Sequence, residues 1–321
     1  MVLSLADYIG AHAFALLAVL AGVLVVALLV LVLVGGWVVA HRAALWQQLS
    51  RAWGRLARRP VPFAAHLARL TPRKYLALHL LLGFVLAAGL LAFFGLADEM
   101  QERAGLVQFD LALAESLHRH ATPRAVWWME QLTAFGSGPR MTLLALLCFV
   151  LLYRYRQHLL AFGWAVAVAG GGALNSALKA FYRRPRPVLE DPFVHARFWS
   201  FPSGHSMGTF VFTGMLVYFV VLFVRRPGVR ILAAAVGLVW TLLIGFSRIY
   251  LGAHYFSDVV AGYAAGTVWL AACISGLELI RRRARLDESA RAVPPPPPQL
   301  VPRAPLPASP HRPPPGPRPR A

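Results

Sequence analysis

The chain has 321 residues, of which 58% are hydrophobic and only 14% charged, whereas a soluble domain of this size carries about a quarter charged residues. Several apolar runs also approach the roughly 20 residues that cross a bilayer as a helix, so the composition predicts a multi-span membrane protein. The formal net charge of +19 does not indicate a nucleic-acid partner, because basic residues beside apolar spans usually set topology and contact anionic lipid. Cys148 and Cys273 lie in apolar runs and predict neither a disulfide nor a metal site.

Seven apolar segments predict an all-α, polytopic membrane bundle of seven spanning helices. In chain order they cover about 11–40, 75–97, 141–153, 158–178, 205–224, 231–249 and 258–280. The third run is short, and we expect it to recruit part of 125–140, where the sequence Gly136-Ser137-Gly138-Pro139 interrupts the helical pattern.

Lysine and arginine predict which loops face the cytosol. The 41–74 linker contains eight basic residues and no acidic residue, and cytoplasmic loops carry the excess of basic residues. The N-terminus is therefore predicted outside and the C-terminus inside. One outer loop departs from this pattern, because residues 179–203 also hold several basic side chains. A basic loop on the translocated side indicates anion binding.

Two segments outside the spans differ from them in composition. Residues 43–74 mix Trp and Leu with Arg, which is typical of a segment lying along the inner membrane surface. Residues 286–321 are basic and rich in proline and predict an extended cytosolic tail. A disordered tail is favoured over a ligand for a proline-binding partner.

Three polar clusters fall at the outer ends of predicted spans. They are the run from Lys179 to Pro187, the turn Pro202-Ser203-Gly204-His205, and the run from Ser247 to Asp258. Each alone has a plain structural interpretation, as an interfacial lysine, a helix N-cap or a first-turn acid. The predicted orientation does not depend on these residues, yet it puts all three clusters at one depth on the outer side. Together they supply the cations, imidazoles and carboxylate of a metal-independent phosphoryl-transfer site.

The cationic and backbone groups are predicted to bind phosphate. Arg186 and Arg248 can clamp its oxygens in bidentate fashion, while Lys179 acts as a point charge. Ser203 and Gly204 open a helix, where a small hydroxyl, free N–H groups and the positive end of the helix dipole can approach a phosphate closely.

Two histidines are predicted to divide the chemistry. His254 is the candidate nucleophile, because Asp258 lies one helical turn later and can accept its second ring proton. His205 is then the general acid. No Asp/Glu cluster of the kind that holds Mg²⁺ accompanies these residues, so no metal or other cofactor is expected.

These three clusters resemble the signature of the type 2 phosphatidic acid phosphatase superfamily, which includes bacterial undecaprenyl-diphosphate and phosphatidylglycerophosphate phosphatases. The matching elements are Lys179-x6-Arg186-Pro187, Pro202-Ser203-Gly204-His205 and Ser247-Arg248-x5-His254-x3-Asp258. The resemblance covers about 75–280 and implies a six-helix core, a phosphohistidine on His254, and His205 as the acid.

The chain is accordingly divided into four predicted parts: an extra N-terminal transmembrane helix (1–42), the interfacial linker (43–74), the catalytic domain (75–285) and the tail (286–321). The predicted function is hydrolysis of a lipid phosphate at the outer leaflet of the cell membrane. Undecaprenyl diphosphate is the first choice of substrate, with phosphatidic acid or phosphatidylglycerol phosphate next. A lipid phosphotransferase is the related alternative. An anion transporter, with charged residues lining its pathway, is disfavoured because it does not need a His/Asp pair and a second histidine at the same depth.

Overall fold

The computed structural model describes residues 2–19, 73–101, 105–194 and 198–291. Within these ranges all regular secondary structure is helical, which confirms the all-α prediction. The helices are α1 (Val2–Ala11), α2 (Arg73–Gln101), α3 (Gly105–Arg119), α4 (Pro123–Phe135), α5 (Gly138–Arg154), α6 (His158–Tyr182), α7 (Gly204–Phe223), α8 (Pro227–Tyr250) and α9 (Phe256–Arg291).

Six helical segments of the described ranges are long and apolar enough to cross a membrane. They are Leu81–Glu99, Pro123–Arg154, His158–Tyr182, Gly204–Phe223, Pro227–Tyr250 and Phe256–Arg285. These segments correspond to the second to seventh predicted spans, and the chain is a multi-pass membrane protein. The first predicted span lies mostly outside the described residues, as does nearly all of the 43–74 linker.

The third predicted span extends further towards the N-terminus than its apolar run. It consists of α4 and α5, which meet at Gly136 and Ser137. Thr122 caps α4 by accepting a hydrogen bond from the N–H of Ala125, which satisfies one of the free donors of the first turn. The predicted recruitment of 125–140 and the predicted interruption are both present.

Close helix packing in the bundle depends on small residues beside large aromatic ones. Trp269 of α9 donates to the carbonyl of Ala167 at 2.8 Å, and a Cβ on Gly170 would lie 2.5 Å from the Trp269 ring. Trp164 of α6 packs edge-on against Phe212 of α7. In lipid, packing and interhelical hydrogen bonds replace the hydrophobic effect as the forces between helices, so α6, α7 and α9 form a firmly packed group.

The N-terminal helix lies at the same end of the bundle as the loops that follow α6 and α8. Asp7 of α1 accepts hydrogen bonds from Arg119 at 2.7 Å and Ser116 at 3.0 Å, both on α3. The same helix carries Asp110, which contacts Ser257 at the start of α9. The N-terminal helix and the three predicted polar clusters therefore lie at one end of the bundle, and the side of the membrane that this end faces stays a prediction.

By compactness the chain divides into residues 1–279 and 280–321. In the second unit the described residues, 280–291, are helical. Helix therefore extends six residues into the segment 286–321 that was predicted to be extended. Residues 292–321 lie outside the described residues, and so does the predicted proline-rich segment for a binding partner.

Candidate active site

The start of α7 is fastened between α6 and α9. Ser203 donates its N–H to the carbonyl of Asp258 at 2.9 Å, and Asn175 of α6 donates to the carbonyl of Pro202 at 3.3 Å. A Cβ on Gly204 would lie 2.9 Å from the Asn175 side chain, so this close approach requires glycine. The Ser203 hydroxyl is fully buried and accepts hydrogen bonds from the N–H and hydroxyl of Ser206. It acts here as the helix N-cap.

Two cations at the end of α6 are anchored to the backbone of residues 198–200: Lys179 in its last turn and Arg186 in the loop that follows. Lys179 donates through Nζ to the carbonyls of Trp199 at 2.6 Å and Ser200 at 3.0 Å. Arg186 donates through Nε to Phe198 at 2.6 Å and through Nη2 to Trp199 at 3.4 Å. An ammonium has three donors and a guanidinium has five, so both groups retain N–H bonds for an anion.

His254 stands between Arg186 and a buried hydroxyl–carboxylate pair. Its Nε2 atom is 3.3 Å from Nη1 of Arg186. On the other side of the ring, Nδ1 is 3.3 Å from Ser200 Oγ and 3.5 Å from Asp258 Oδ2, while the Ser200 hydroxyl donates to that same carboxylate oxygen. Asp258 therefore lies beside His254 as expected, but it shares the contact with Ser200, which the sequence did not identify.

The imidazole of His254 is neutral at ordinary pH. Burial lowers its pKa, and the nearby cations Arg186 and Lys179 act in the same direction, whereas Asp258 opposes them. The net effect lowers the pKa of His254 to about 3. A neutral ring with its Nδ1 side against Ser200 and Asp258 presents the lone pair of Nε2 on the side of Arg186, whose Nη1 lies 3.3 Å away.

Most of the predicted site residues meet at one cavity of about 440 Å³. Its lining includes five of the eight residues that the sequence singled out: Lys179, Arg186, Gly204, His205 and His254. The rest of its polar and aromatic lining is formed by Asn175, Ser176, Phe198 and Trp199. The remaining three of the eight predicted site residues are buried, and they are Ser203, Arg248 and Asp258.

The Arg248 side chain is held by a residue of α4, a helix that precedes all three polar clusters in the sequence. Its Nη1 atom donates to the Thr133 hydroxyl at 2.9 Å, and Thr133 lies near the end of α4. The side chain is only 5% exposed, and its Nε–H has no hydrogen-bond partner among the described residues. Buried donors are nearly always paired in native proteins, so this free N–H is suited to an anion.

The same helix break supports His205. A Cβ on Gly136 would lie 3.2 Å from Cδ2 of His205 and 2.8 Å from Cγ2 of Ile244. The His205 ring therefore rests against a glycine that has no room for a larger residue. The interruption noted in the sequence contributes directly to the shape of the site.

Several residues in contact with the site were missed by the sequence analysis. Arg184 lies inside the run from Lys179 to Pro187, and Ser200 lies two residues before Pro202, so their polarity was the available signal. Ser257 lies beside Asp258, but nothing local distinguishes it from other serines. Asp110 and Thr133 lie 147 and 115 residues from their partners Ser257 and Arg248, so no local spacing reveals them.

Comparison with known proteins places this arrangement in a family. Residues 158–281 match the family described as the PAP2 superfamily. The chain is 30% identical over 157 residues to undecaprenyl-diphosphatase YbjG of Escherichia coli (strain K12), which covers 46% of this chain and 74% of that protein. The chain belongs to the PAP2 superfamily. It is also 28% identical over 188 residues to phosphatidylglycerophosphatase B of Bacillus subtilis (strain 168), covering 52% of this chain and 90% of that protein.

A solved PAP2 structure shares the fold. The crystal structure of the transmembrane PAP2-type phosphatidylglycerolphosphate phosphatase of Bacillus subtilis matches with a TM-score of 0.58 and 26% identity, over 62% of this chain and 98% of that one. With the family match, this similarity establishes a membrane lipid phosphatase of the PAP2 type. The matched segment 158–281 contains all eight predicted site residues, whereas Asp110, Thr133 and Gly136 lie before it.

Within the described ranges, no group of three or more His, Cys, Asp or Glu side chains could hold a metal ion. Independence of metal therefore stays a prediction, and it is tested below.

Proposed function

We propose that this PAP2 enzyme hydrolyses a lipid phosphate or diphosphate at the outer leaflet through a phosphohistidine intermediate on His254. The observation that carries the proposal is the single cavity that brings His205 and His254 together with Lys179 and Arg186. A neutral imidazole and a second histidine beside fixed cations are the groups that phosphoryl transfer to histidine requires.

The proposed reaction has two steps. The Nε2 lone pair of His254 attacks phosphorus, the bond from phosphorus to the leaving oxygen breaks, and His205 gives that oxygen a proton. Water then attacks the phosphohistidine, His205 takes a proton from the water, and the phosphorus–nitrogen bond breaks to release inorganic phosphate. Negative charge spreads over the equatorial oxygens in both transition states. We expect Arg186, Lys179 and Arg248 to stabilise that charge.

The proposal predicts that the enzyme stays active down to low pH. Since the pKa of His254 is lowered to about 3, the reactive neutral ring persists well below the ordinary histidine pKa of about 6.5. In a pH profile of kcat/KM, which reports the free enzyme, loss of activity from protonation of His254 is expected only as the pH falls towards 3. Recovery after return to pH 7 controls for unfolding.

The effect of substrate protonation on activity must be distinguished from that of His254 protonation, because a phosphate monoester has its own pKa near 6. A limb caused by the substrate moves when a monophosphate is exchanged for a diphosphate. An acid limb fixed near pH 6.5 with both substrates would contradict a neutral, buried His254.

A substitution at Gly136, which lies against the His205 ring, tests whether the position of that ring affects catalysis. Gly136→Ala places a methyl group against the His205 ring, and we expect kcat to fall about 10- to 100-fold, because a displacement of about 1 Å at a catalytic group can cost that much. The matched control is Gly208→Ala on the helix that carries His205, where a Cβ would meet nothing within 4 Å. Equal activities of the two folded variants would show that Gly136 does not position His205.

Among lipids, we propose undecaprenyl diphosphate as the preferred substrate, followed by phosphatidic acid or phosphatidylglycerol phosphate. The similarity to a protein named as an undecaprenyl-diphosphatase supports the first of these substrates, and the similarity to phosphatidylglycerophosphatase B supports phosphatidylglycerol phosphate. The cavity wall adds support, because Phe198 and Trp199 are 79% and 44% exposed and provide apolar surface beside the cationic groups of the cavity. Aromatic side chains of this kind suit the boundary between an apolar chain and a charged headgroup.

The test is a phosphate-release panel on the purified full chain in detergent, with these three lipids and excess EDTA. We expect release from at least one lipid, fastest from undecaprenyl diphosphate, and no release by His254→Ala. Faster release from another lipid would revise the substrate alone. Complete loss of activity in EDTA, restored by Mg²⁺, would contradict the metal-independent mechanism.

The outer location of the site is also testable. Val188 lies in the basic loop after α6 and is 94% exposed, so Val188→Cys in a background with Cys148 and Cys273 replaced by alanine should react with a membrane-impermeant thiol reagent in intact cells. Arg225→Cys, just past the opposite end of α7, should react only after permeabilisation. The reverse pattern would place the site in the cytosol.

A further inference from the structure

A buried charge cluster lies behind His254 and does not line the cavity. Arg184 donates from Nη1 to Asp258 Oδ1 at 2.6 Å and to the Ser257 hydroxyl at 2.7 Å, and from Nη2 to Asp110 Oδ2 at 2.9 Å. Asp110 and Asp258 are at most 1% exposed and Arg184 is 8% exposed. One guanidinium thus bridges two buried carboxylates that are 148 residues apart in the sequence.

The cluster determines which way Asp258 points. Its Oδ1 atom is held by Arg184, which leaves Oδ2 to face the Ser200 hydroxyl, the Tyr255 N–H at 2.9 Å and the Nδ1 side of His254. A carboxylate held by a single oxygen can rotate about its terminal torsion, which is broad and roughly two-fold. Arg184 removes that freedom and fixes the oxygen that orients the histidine.

Asp110 in turn holds Arg184. Its second oxygen, Oδ1, accepts the N–H of Ser257 at 3.0 Å, so Asp110 ties α3 to the first turn of α9. The Arg184 guanidinium also lies 4.3 Å from the centre of the Tyr255 ring. Burial would lower the pKa of Arg184, but Asp258 and Asp110 outweigh it and raise that pKa. The guanidinium therefore remains charged between its two partners.

We propose that Arg184 and Asp110 are positioning residues of the reaction, which act on His254 through Asp258. The inference rests on the proposed role of His254 and adds two residues to it, one of which lies outside the segment 158–281 that matches the family. Neither residue lines the cavity, so neither is expected to bind substrate. Their loss should therefore lower kcat while leaving KM nearly unchanged.

The test is a double-mutant cycle on purified full-chain protein. We expect Arg184→Gln to lower kcat about 100-fold and Asp110→Asn about 10-fold, with KM within about threefold of the wild type. In an Asp258→Asn background, each substitution should change kcat by less than about threefold, because residues that act as one unit are non-additive. If either residue had only a structural role, its fold-loss in kcat would instead multiply with the fold-loss caused by Asp258→Asn.

Arg119→Gln is the matched control. Arg119 also pairs with an aspartate across helices, at 2.7 Å from Asp7, but both side chains are more than half exposed, and exposed pairs contribute little. We expect its kcat to equal that of the wild type. His254→Ala is measured alongside, so that failure of the proposed function, seen as retained activity, is distinguished from failure of this inference.

Removal of a partner from a buried ion pair can prevent folding. If Arg184→Gln is not monodisperse in detergent, Arg184→Lys takes its place, because it keeps the charge but cannot bridge both carboxylates in the same geometry. Folded variants with kcat within threefold of the wild type, or with effects that multiply with Asp258→Asn, would overturn the proposal.

Discussion

Replacing His254 with alanine should reduce lipid phosphate hydrolysis by at least about 10⁴-fold, because the variant has no nucleophile and cannot form a covalent intermediate. His205→Ala should cost a similar factor with a lipid substrate for a different reason, since the leaving oxygen then departs without a proton. The Nε2 atom of His254 is the ring nitrogen beside Arg186, whereas His205 opens α7 on the cavity wall.

The two histidines are distinguished by the leaving group. An acidic leaving group needs little protonation, so p-nitrophenyl phosphate, if it is a substrate, should partly rescue His205→Ala and leave His254→Ala inactive. Asp258→Asn should fall between the two in activity, because the nucleophile remains while its orientation is disturbed. Rescue of His254→Ala with His205→Ala inactive would reverse the two roles.

Arg186→Lys should lower kcat/KM about 100- to 1,000-fold, the range for loss of one fixed donor that stabilises a transition-state oxyanion. The guanidinium simultaneously contacts the carbonyls of Phe198, Trp199 and Ala253 and the Nε2 atom of His254. A lysine ammonium keeps the charge but cannot reproduce this planar set of contacts.

Arg183→Lys provides the matched control for this substitution. Arg183 lies three residues earlier, is exposed, and donates to the carbonyl of Ala180 at 2.9 Å. We expect kcat/KM within about threefold of the wild type. Both variants are assayed at equal amounts of monodisperse protein. Equal losses in the two variants would mean that loop charge, and not the geometry of Arg186, supports the reaction.

Local sequence patterns predicted the helices well, and five of the eight predicted site residues line one cavity. Apolar runs predicted the second to seventh spans, and the glycines and proline at 136–139 predicted the break between α4 and α5. The four-residue spacing of His254 and Asp258 correctly predicted that their side chains are close. The reason differs from the expected one, because His254 precedes α9 and Asp258 turns back from the first turn of that helix to accept the N–H of Tyr255.

Contacts between distant segments were not predictable in this way. Ser200 intervenes between His254 and Asp258 only because the loop after α6 crosses the start of α9. Asp110 reaches Ser257 from α3, and Thr133 reaches Arg248 from α4, and no spacing rule connects segments so far apart. The Ser203 hydroxyl was predicted as a phosphate donor, yet in this structure it caps α7, so its role in binding stays a prediction.

The most direct test of the central claim is to trap the phosphorylated enzyme. The full chain is mixed with ³²P-labelled undecaprenyl diphosphate, quenched in denaturing alkali to preserve the acid-labile phosphorus–nitrogen bond, and digested for peptide mapping by mass spectrometry. The account predicts label on His254 of the wild type and none on His254→Ala. Label on His205 or on another residue, or full turnover by His254→Ala, would contradict it.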